Sequence, residues 1–379
     1  MKSKLSSSVI IVTVLLMLFH FSPYCLSDNY SNSYQLANHP DGSTFYRLNI
    51  AVSQALLDYY TQKNHRLYSN SDFAKFVTPY ALKSIADSLW QIYTDDEDYT
   101  NGVLMLVHQI PYEVTATVKY PVETIVENKG DCDLFSFIAA SVMVAGGLDI
   151  VLLYYENEAH MNIGVNLLHA PHDARDQAFH ITYGDSDYYV AECTGGNWQN
   201  GWRVGECPTD LKDAYAQVIT LESSEEEALG QVSASYNDLA PSALLLTVSS
   251  AYLVQGSLVT FSGQLSPVMQ NRTITIYVRT GGAPWTILGA VTTDSKGQFV
   301  YSWNADVAGV DYFRASWSGN DYYAGADSQI QSVTVLSTFL IVLIGFILSL
   351  VCIGAVVFLM SRRGQVGNLE PLPPEEPTS

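Results

Sequence analysis

Cys132 stands in Lys129-Gly130-Asp131-Cys132-Asp133-Leu134, where a glycine turn runs into an apolar stretch, and His160 and Glu192 follow it along the chain. A thiol, an imidazole and a carboxylate in that order are the groups that acyl transfer through a thioester requires. The thiolate attacks an amide carbonyl, the imidazole passes a proton to the leaving amine, and the carboxylate orients the ring. If water resolves the thioester, the reaction is that of a peptidase or amidase; if an amine does, it is that of a crosslinking acyltransferase. The three residues suit both. Each also has a purely structural reading: Cys132 as a helix core residue, His160 as a hairpin histidine, Glu192 as a buried partner for an arginine.

The elements that must position these groups follow from the apolar spacing. Leu134, Phe135, Phe137, Ile138, Ala139, Val142 and Met143 predict a buried helix that ends at Gly146-Gly147. Cys132 falls in its first turn, where unpaired N–H groups and the helix dipole favour a thiolate and can receive a developing oxyanion. Residues 150–154 and 160–165 read as strands joined by the polar turn Glu156-Asn157-Glu158, with His160 opening the return strand. A third strand, residues 188–194, carries Glu192 in its middle, where a partly buried carboxylate needs a partner. Residues 28–110 read as mainly helical. Apolar positions at helical spacing run through 46–60, through 71–92, and from Asp98 to Ile110-Pro111, where proline ends the helix. The run Asp95-Asp96-Glu97-Asp98 lacks EF-hand spacing and a loop glycine, so it reads as a solvated helix start.

Over residues 103–208 several short motifs occur together: Tyr120-Pro121-Val122-Glu123-Thr124, Gly130-Asp131-Cys132, Ala159-His160 with Gly164-Val165, Glu192-Cys193-Thr194 and Gly201-Trp202-Arg203-Val204-Gly205. In this order they resemble the transglutaminase-like superfamily in its archaeal and bacterial branch, which uses a papain-like Cys-His-Asp/Glu triad. The resemblance implies an α+β, papain-like catalytic domain with Cys132 as nucleophile, His160 as general base and acid, and Glu192 as the group that orients the imidazole. Two departures stand beside it. Leu134 occupies the position where many relatives have a second acidic residue, and Val107-His108-Gln109 precedes Ile110-Pro111-Tyr112 where a glutamine is common. Gln109 or His108 is a candidate oxyanion donor, with a surface role as the alternative.

The five cysteines are not equivalent. Cys25 falls in a candidate signal segment and Cys352 in a long apolar run, which leaves three for the body of the chain. Cys193 and Cys207 flank a Gly- and Trp-rich segment and are a candidate disulfide in an oxidising compartment. Cys132 is then the odd thiol: a reactive group, or else a buried free cysteine or a member of a different pair. Trp198 and Trp202 are candidate walls of an acyl-binding cleft, with core packing as the alternative for Trp202. His169, His172 and His180 make no recognisable zinc spacing, so no metal and no cofactor is expected.

Lys2 and Lys4 ahead of an apolar run give residues 1–27 the layout of a secretory signal peptide. Residues 337–361 contain a second apolar run, from Phe339 to Met360, long enough at about 1.5 Å per residue to cross a hydrocarbon core of about 30 Å. Arg362 and Arg363 follow at once, which by the positive-inside rule puts residues 362–379 in the cytoplasm and the body of this single-pass protein outside the cell. Between these segments, 28–220 reads as the catalytic domain, 221–241 as a polar linker, and 242–336 as about seven short strands, an all-β sandwich that resembles Ig-like modules of microbial surface proteins.

With 18 Lys and Arg against 38 Asp and Glu, the formal charge of −20 argues against nucleic acid as a partner. The expected partners are a protein or peptide substrate at the cell surface and the membrane, entered through one C-terminal helix. The rival is a non-catalytic surface binding or adhesion protein that keeps the transglutaminase-like shape. Asn29 and Asn271 each open a glycosylation acceptor sequence.

Overall fold

The computed structural model describes residues 29–195, 197–225 and 230–366; the candidate signal peptide with Cys25 and the tail from residue 367 lie outside the described residues. The chain is a mixed α+β protein with several sheets and one long apolar helix near its C-terminal end. It opens with an antiparallel hairpin of β1 (Asn29–Ala37) and β2 (Phe45–Ser53). This corrects the expected helix over residues 46–60. Leu48, Ile50 and Val52 are buried at every second position, and two of them are β-branched, so a pleated ladder accommodates them better than a helix. Helix α1 (Gln54–Thr61) starts only where the Ser53 hydroxyl accepts from the N–H of Leu56.

The expected helix over residues 71–92 is broken as well. It comprises two short 3-10 turns, Asn70–Phe76 and Tyr80–Leu82, followed by α2 (Lys83–Leu89), with Pro79 between the turns. Proline supplies no N–H and holds the residue before it out of the helical region. Helix α3 (Asp96–Val107) lies where it is expected, capped by Asp95, which accepts from the N–H of Asp98. Then come α4 (Pro121–Glu127) and α5 (Cys132–Ala145). Because α5 is apolar on nearly every side, it is buried from Leu134 to Met143.

Against α5 packs a five-stranded antiparallel sheet of β3 (Asp149–Tyr155), β4 (His160–Asn166), β5 (His180–Tyr183), β6 (Ser186–Ala191) and β7 (Gln217–Ile219), in the order β5-β6-β4-β3-β7. Alternation along β3 sends Ile150 and Leu152 into the core shared with α5, and Val151, Leu153 and Tyr155 into a second cluster on the opposite face. Cys193 belongs to the first core and Cys207 to the second, and both are free thiols. The expected disulfide is therefore absent, because the sheet stands between its two halves.

Residues 221–241 are more than the expected linker. Glu225 accepts from the Tyr60 hydroxyl at 2.6 Å and pairs with Lys63, and β8 (Ser233–Ser235) extends the first hairpin by pairing with β2. The chain continues through β9 (Ala243–Val248), β10 (Tyr252–Val254), β11 (Leu258–Ser266), β12 (Thr273–Thr280), β13 (Thr286–Thr292), β14 (Gln298–Asn304), β15 (Gly309–Gly319), β16 (Ala324–Asp327) and β17 (Gln331–Leu336). One sheet runs β14-β11-β9 and the other β10-β17-β15-β12-β13, with β16 beside β15; Phe261, Phe299, Phe313 and Trp317 share a core separate from that of α5. The seven stretches that read as strands in the sequence are strands here, while β10 and β16, at three and four residues, are too short to carry a period. After Ser337, α6 (Thr338–Val366) begins; its segment Thr338–Phe358 has a mean hydropathy of 3.1 and is long and apolar enough to cross a membrane.

Candidate active site

Cys132 is the first residue of α5 and is partly exposed. Asp131, at the N-cap position, does not use its carboxylate as a cap. That group turns instead to Thr115, whose N–H and hydroxyl donate to Oδ2 at 2.7 and 2.9 Å. Residues 111–115 are further strapped to this turn, because Gly130 N–H donates to Pro111 O at 3.2 Å and Glu113 N–H to Gly130 O at 2.7 Å. The turn that carries Cys132 is thus fixed from outside, and of the first N–H groups of α5 that of Leu134 donates to Asp133 Oδ1 at 3.1 Å, while Asp131 caps none.

His160 opens β4 opposite Tyr155, directly after Ala159, which has a φ of 48°. That left-handed conformation is costly for a residue with a Cβ, and here it fixes the approach of the imidazole. Glu192 lies just past the end of β6 rather than in the middle of a strand. The His160 Nε2–H donates to Glu192 Oε2 at 2.9 Å, and Cys132 is close enough for its charge to help raise the ring. With Nε2 taken, Nδ1 is the nitrogen left for the sulfur. The Cys132 Sγ also lies 4.0 Å from Ala159 O. Cys132, His160 and Glu192, separate in sequence, meet in one line.

Glu192 is fully buried, and four donors hold it. Oε2 also accepts from Asn162 Nδ2 at 3.1 Å, and Oε1 accepts from the N–H and hydroxyl of Thr194 at 2.9 and 2.5 Å. Burial disfavours its charge, yet the bonds from His160 and Thr194 outweigh this and hold the carboxyl below its usual range. Burial also opposes charge on His160, but the neighbouring Cys132 side chain and the bond to Glu192, together with their charges, raise the imidazole to about 10. Asn162 and Thr194 are missing from the sequence reading. For Asn162 a period-two signal existed, since it stands two residues beyond His160 on β4, whereas Thr194 lies past the end of β6 and reaches Glu192 through a local turn.

His108 and Gln109 do not serve as the expected oxyanion donors. His108 is buried, its Nε2–H donates to the backbone carbonyl of Glu192 at 2.9 Å, and burial keeps the ring below its usual pKa and therefore neutral. It holds the carboxylate's backbone, and Gly201 packs so closely on it that a Cβ there would lie 2.3 Å from Nδ1. The Gln109 amide is spent on β1, accepting from Gln35 N–H at 2.8 Å and donating to Gln35 O at 2.7 Å.

A cavity of about 550 Å³ is lined by His108, Gln109, Tyr112, Phe135, Gly195 and Trp198 among others; Cys132, His160 and Glu192 are not in its lining, but Tyr112 is close enough to Cys132 to feel its charge. Trp198 walls the cavity, whereas Trp202 lies behind it with Arg203 around a much smaller void. Leu134, the departure from the family pattern, is fully buried in the core of α5. A cluster not foreseen in the sequence brings His39, Asp98 and Asp173 together, with ligand atoms within 4.8 Å of one another. The Asp41 N–H donates to His39 Nδ1 at 3.3 Å, so Nε2 carries the hydrogen that reaches Asp173 at 2.9 Å, while Asp98 Oδ1 is buried with no hydrogen-bond partner among the described residues, and burial with the nearby carboxylates raises Asp98 to about 6.

No protein-family model matches the chain, and no curated protein matches it. Among solved structures, a chitin-binding domain from Burkholderia pseudomallei is similar over 23% of this chain at 14% identity with a TM-score of 0.20, and the match spans 57% of that domain's length. A similarity of that size carries no argument about fold or ligand.

Proposed function

We propose that this protein is a membrane-anchored, extracellular cysteine enzyme of the transglutaminase-like type that acts on amide bonds through a thioester at Cys132. The observation that carries the reading is the His160 ring, bonded to buried Glu192 at 2.9 Å and raised in part by the nearby Cys132 thiol, which stands at the first turn of a buried helix. In this reading the amide enters the cavity walled by Tyr112, Phe135 and Trp198. The thiolate, paired with the imidazolium, attacks the carbonyl, and the N–H of Cys132 at the start of α5 receives the oxyanion. His160 protonates the leaving amine and then deprotonates the water or primary amine that releases the acyl group and restores the thiol. The Ig-like sandwich and α6 hold this unit outside the cell.

The test uses the full chain in detergent, wild type against Cys132→Ala and His160→Ala. It measures alkylation of Cys132 at neutral pH, together with amide cleavage and incorporation of a tagged primary amine into peptides. Preferential labelling of Cys132 over the denatured chain, lost in His160→Ala, and a product that depends on Cys132 support the reading. Uniform thiol reactivity with no Cys132-dependent product leaves the surface-binding reading in its place.

A further inference from the structure

One end of the sandwich concentrates its apolar exposure. Among residues 242–336 ten large apolar side chains are exposed, and six of them, Tyr252, Val254, Leu258, Val307, Val310 and Leu336, lie at the end that leads into α6. Backbone pairing gathers them there. Val254 stands opposite Leu336, Gly309 opposite Val335, and Tyr252 and Val310 both stand level with Thr334. The N–H of Gln255 donates to Leu336 O at 2.9 Å and that of Gly256 to Ala305 O at 2.8 Å, while Leu258 opens β11 opposite Asn304. At 73% and 69% exposed, Tyr252 and Val307 serve no core within the chain. Across residues 251–258, 304–310 and 334–337 the one charged side chain is Asp306.

Only Ser337 separates Leu336 from Thr338, the first residue of the span that is long enough to cross a membrane. One residue reaches at most about 3.6 Å, so with α6 in a bilayer this end of the sandwich has no room to stand clear of the lipid. Apolar side chains are stabilised on entering the headgroup and upper acyl region, and tyrosine is enriched there. The absence of lysine and arginine makes this a contact driven by apolar burial rather than by attraction to anionic lipid.

We propose that this end of the sandwich is a membrane-docking face whose partner is the interfacial layer of the bilayer that holds α6. The inference rests on the anchoring reading given above. The sandwich is then a fixed pedestal. Strand β15 rises from Gly309 at the lipid to Gly319, which packs on Ser233 of the Cys132-bearing unit, and its 11 residues extend about 33 Å. The thiol is thereby held above the headgroups, within reach of surface proteins and away from lipid.

The test reconstitutes the full chain in phosphatidylcholine vesicles that contain a phospholipid with a photoactivatable group at shallow acyl depth, and maps the crosslinked residues by mass spectrometry. Residues 252–258 and 305–310 are expected to be labelled with α6, at about fivefold or more above residues 266–270 at the opposite end. In the combined variant Tyr252→Ser, Leu258→Ser, Val307→Ser, whose changes are all at exposed positions, the label on both loops should drop to the control level while that on α6 stays. Labelled α6 with loops at the control level, or loop labelling unchanged in the variant, overturns the docking face and leaves the anchor intact. An unlabelled α6 overturns the anchor, and the docking face with it.

Discussion

Glu192 at the candidate site and Arg314 at the junction of sandwich and α1 are both buried ionisable side chains. At the candidate site His160 is bonded to buried Glu192, and the neighbouring Cys132 thiol is partly exposed. At the junction between the sandwich and α1, the buried Arg314 donates to Asp58 at 2.9 Å and stacks 4.7 Å from the Trp285 ring, while Asp327 accepts from the Ala55 N–H at 2.6 Å. Burial pushes the Asp327 carboxyl up, and Arg314 pulls it partly back. Both places are paired and charged, so burial of charge does not distinguish them. The difference lies in what stands at the end: at the junction Arg314 Nε, Arg314 Nη2 and Asp327 Oδ1 are buried without a hydrogen-bond partner among the described residues, and at the site the neighbour of the paired imidazole is a partly exposed thiol.

The comparison breaks most sharply if the two places respond alike to mutation. His160→Ala should lower Cys132-dependent turnover by about 10²–10³-fold or more and leave Tm nearly unchanged, since a general base acts in the transition state. Arg314→Ala should do the reverse. Breaking a buried ion pair costs about 3–5 kcal/mol, or roughly 6–15 °C in a chain of this size, with turnover per folded molecule within about twofold of wild type. Thermal unfolding and rates normalised to folded protein check both. A rate loss in Arg314→Ala as deep as that in His160→Ala would make junction and site a single network.

Glu192→Gln sharpens the contrast at lower amplitude. The amide keeps the volume but loses the charge that helps to raise His160, so turnover should fall by about 10–100-fold, and the alkaline limit of activity should move down from near the wild-type value of about 10. The sign for stability follows from the raised pKa. His160 contributes fully below about 6.5, its value when unfolded, and that contribution is lost as pH rises through about 10. The variant should show a flatter decline of Tm over this window, and an identical decline would remove Glu192 as its cause.

Local pattern carried part of this architecture in the sequence. Helix α5 was legible because it is apolar on all sides and ends at Gly146-Gly147, and the sandwich strands because they alternate between turns. The first hairpin was not, because Leu48 and Val52 satisfy both a helical and a strand period, and nothing local decides between them. The positions of Cys132, His160 and Glu192 could be read as types and order, but their convergence depends on sheet register. The same dependence defeated the Cys193–Cys207 pairing, since which face of the sheet each thiol occupies is fixed by long-range packing. The strap of Asp131 on Thr115 and the use of Gln109 on β1 are likewise tertiary contacts with no periodic trace.

The smallest expected effect concerns the carboxyl pair that flanks Cys132. Asp131 Oδ1 is buried without a hydrogen-bond donor unless the neighbouring Asp133 carboxyl carries a proton. Burial, together with the hydrogen bond and charge of Asp131, pushes Asp133 up to about 8. For Asp131 burial acts in the same upward sense, but the bonds from Asp133 and Thr115 prevail and hold it low. Folded Asp133 thus keeps its proton to a higher pH than the unfolded residue, at about 3.9, so its contribution to stability falls as pH rises from about 4 to about 8 and is level beyond. In Asp133→Asn the amide N–H serves Asp131 at every pH. Its Tm should match wild type near pH 4 and exceed it by about 2–5 °C at pH 8.5. Asp327 at the junction is raised in the same sense, by burial against the pull of Arg314, so Asp327→Asn should likewise flatten the fall of Tm with rising pH. A constant difference for Asp133→Asn between the two pH values would show that no proton is shared beside the nucleophile.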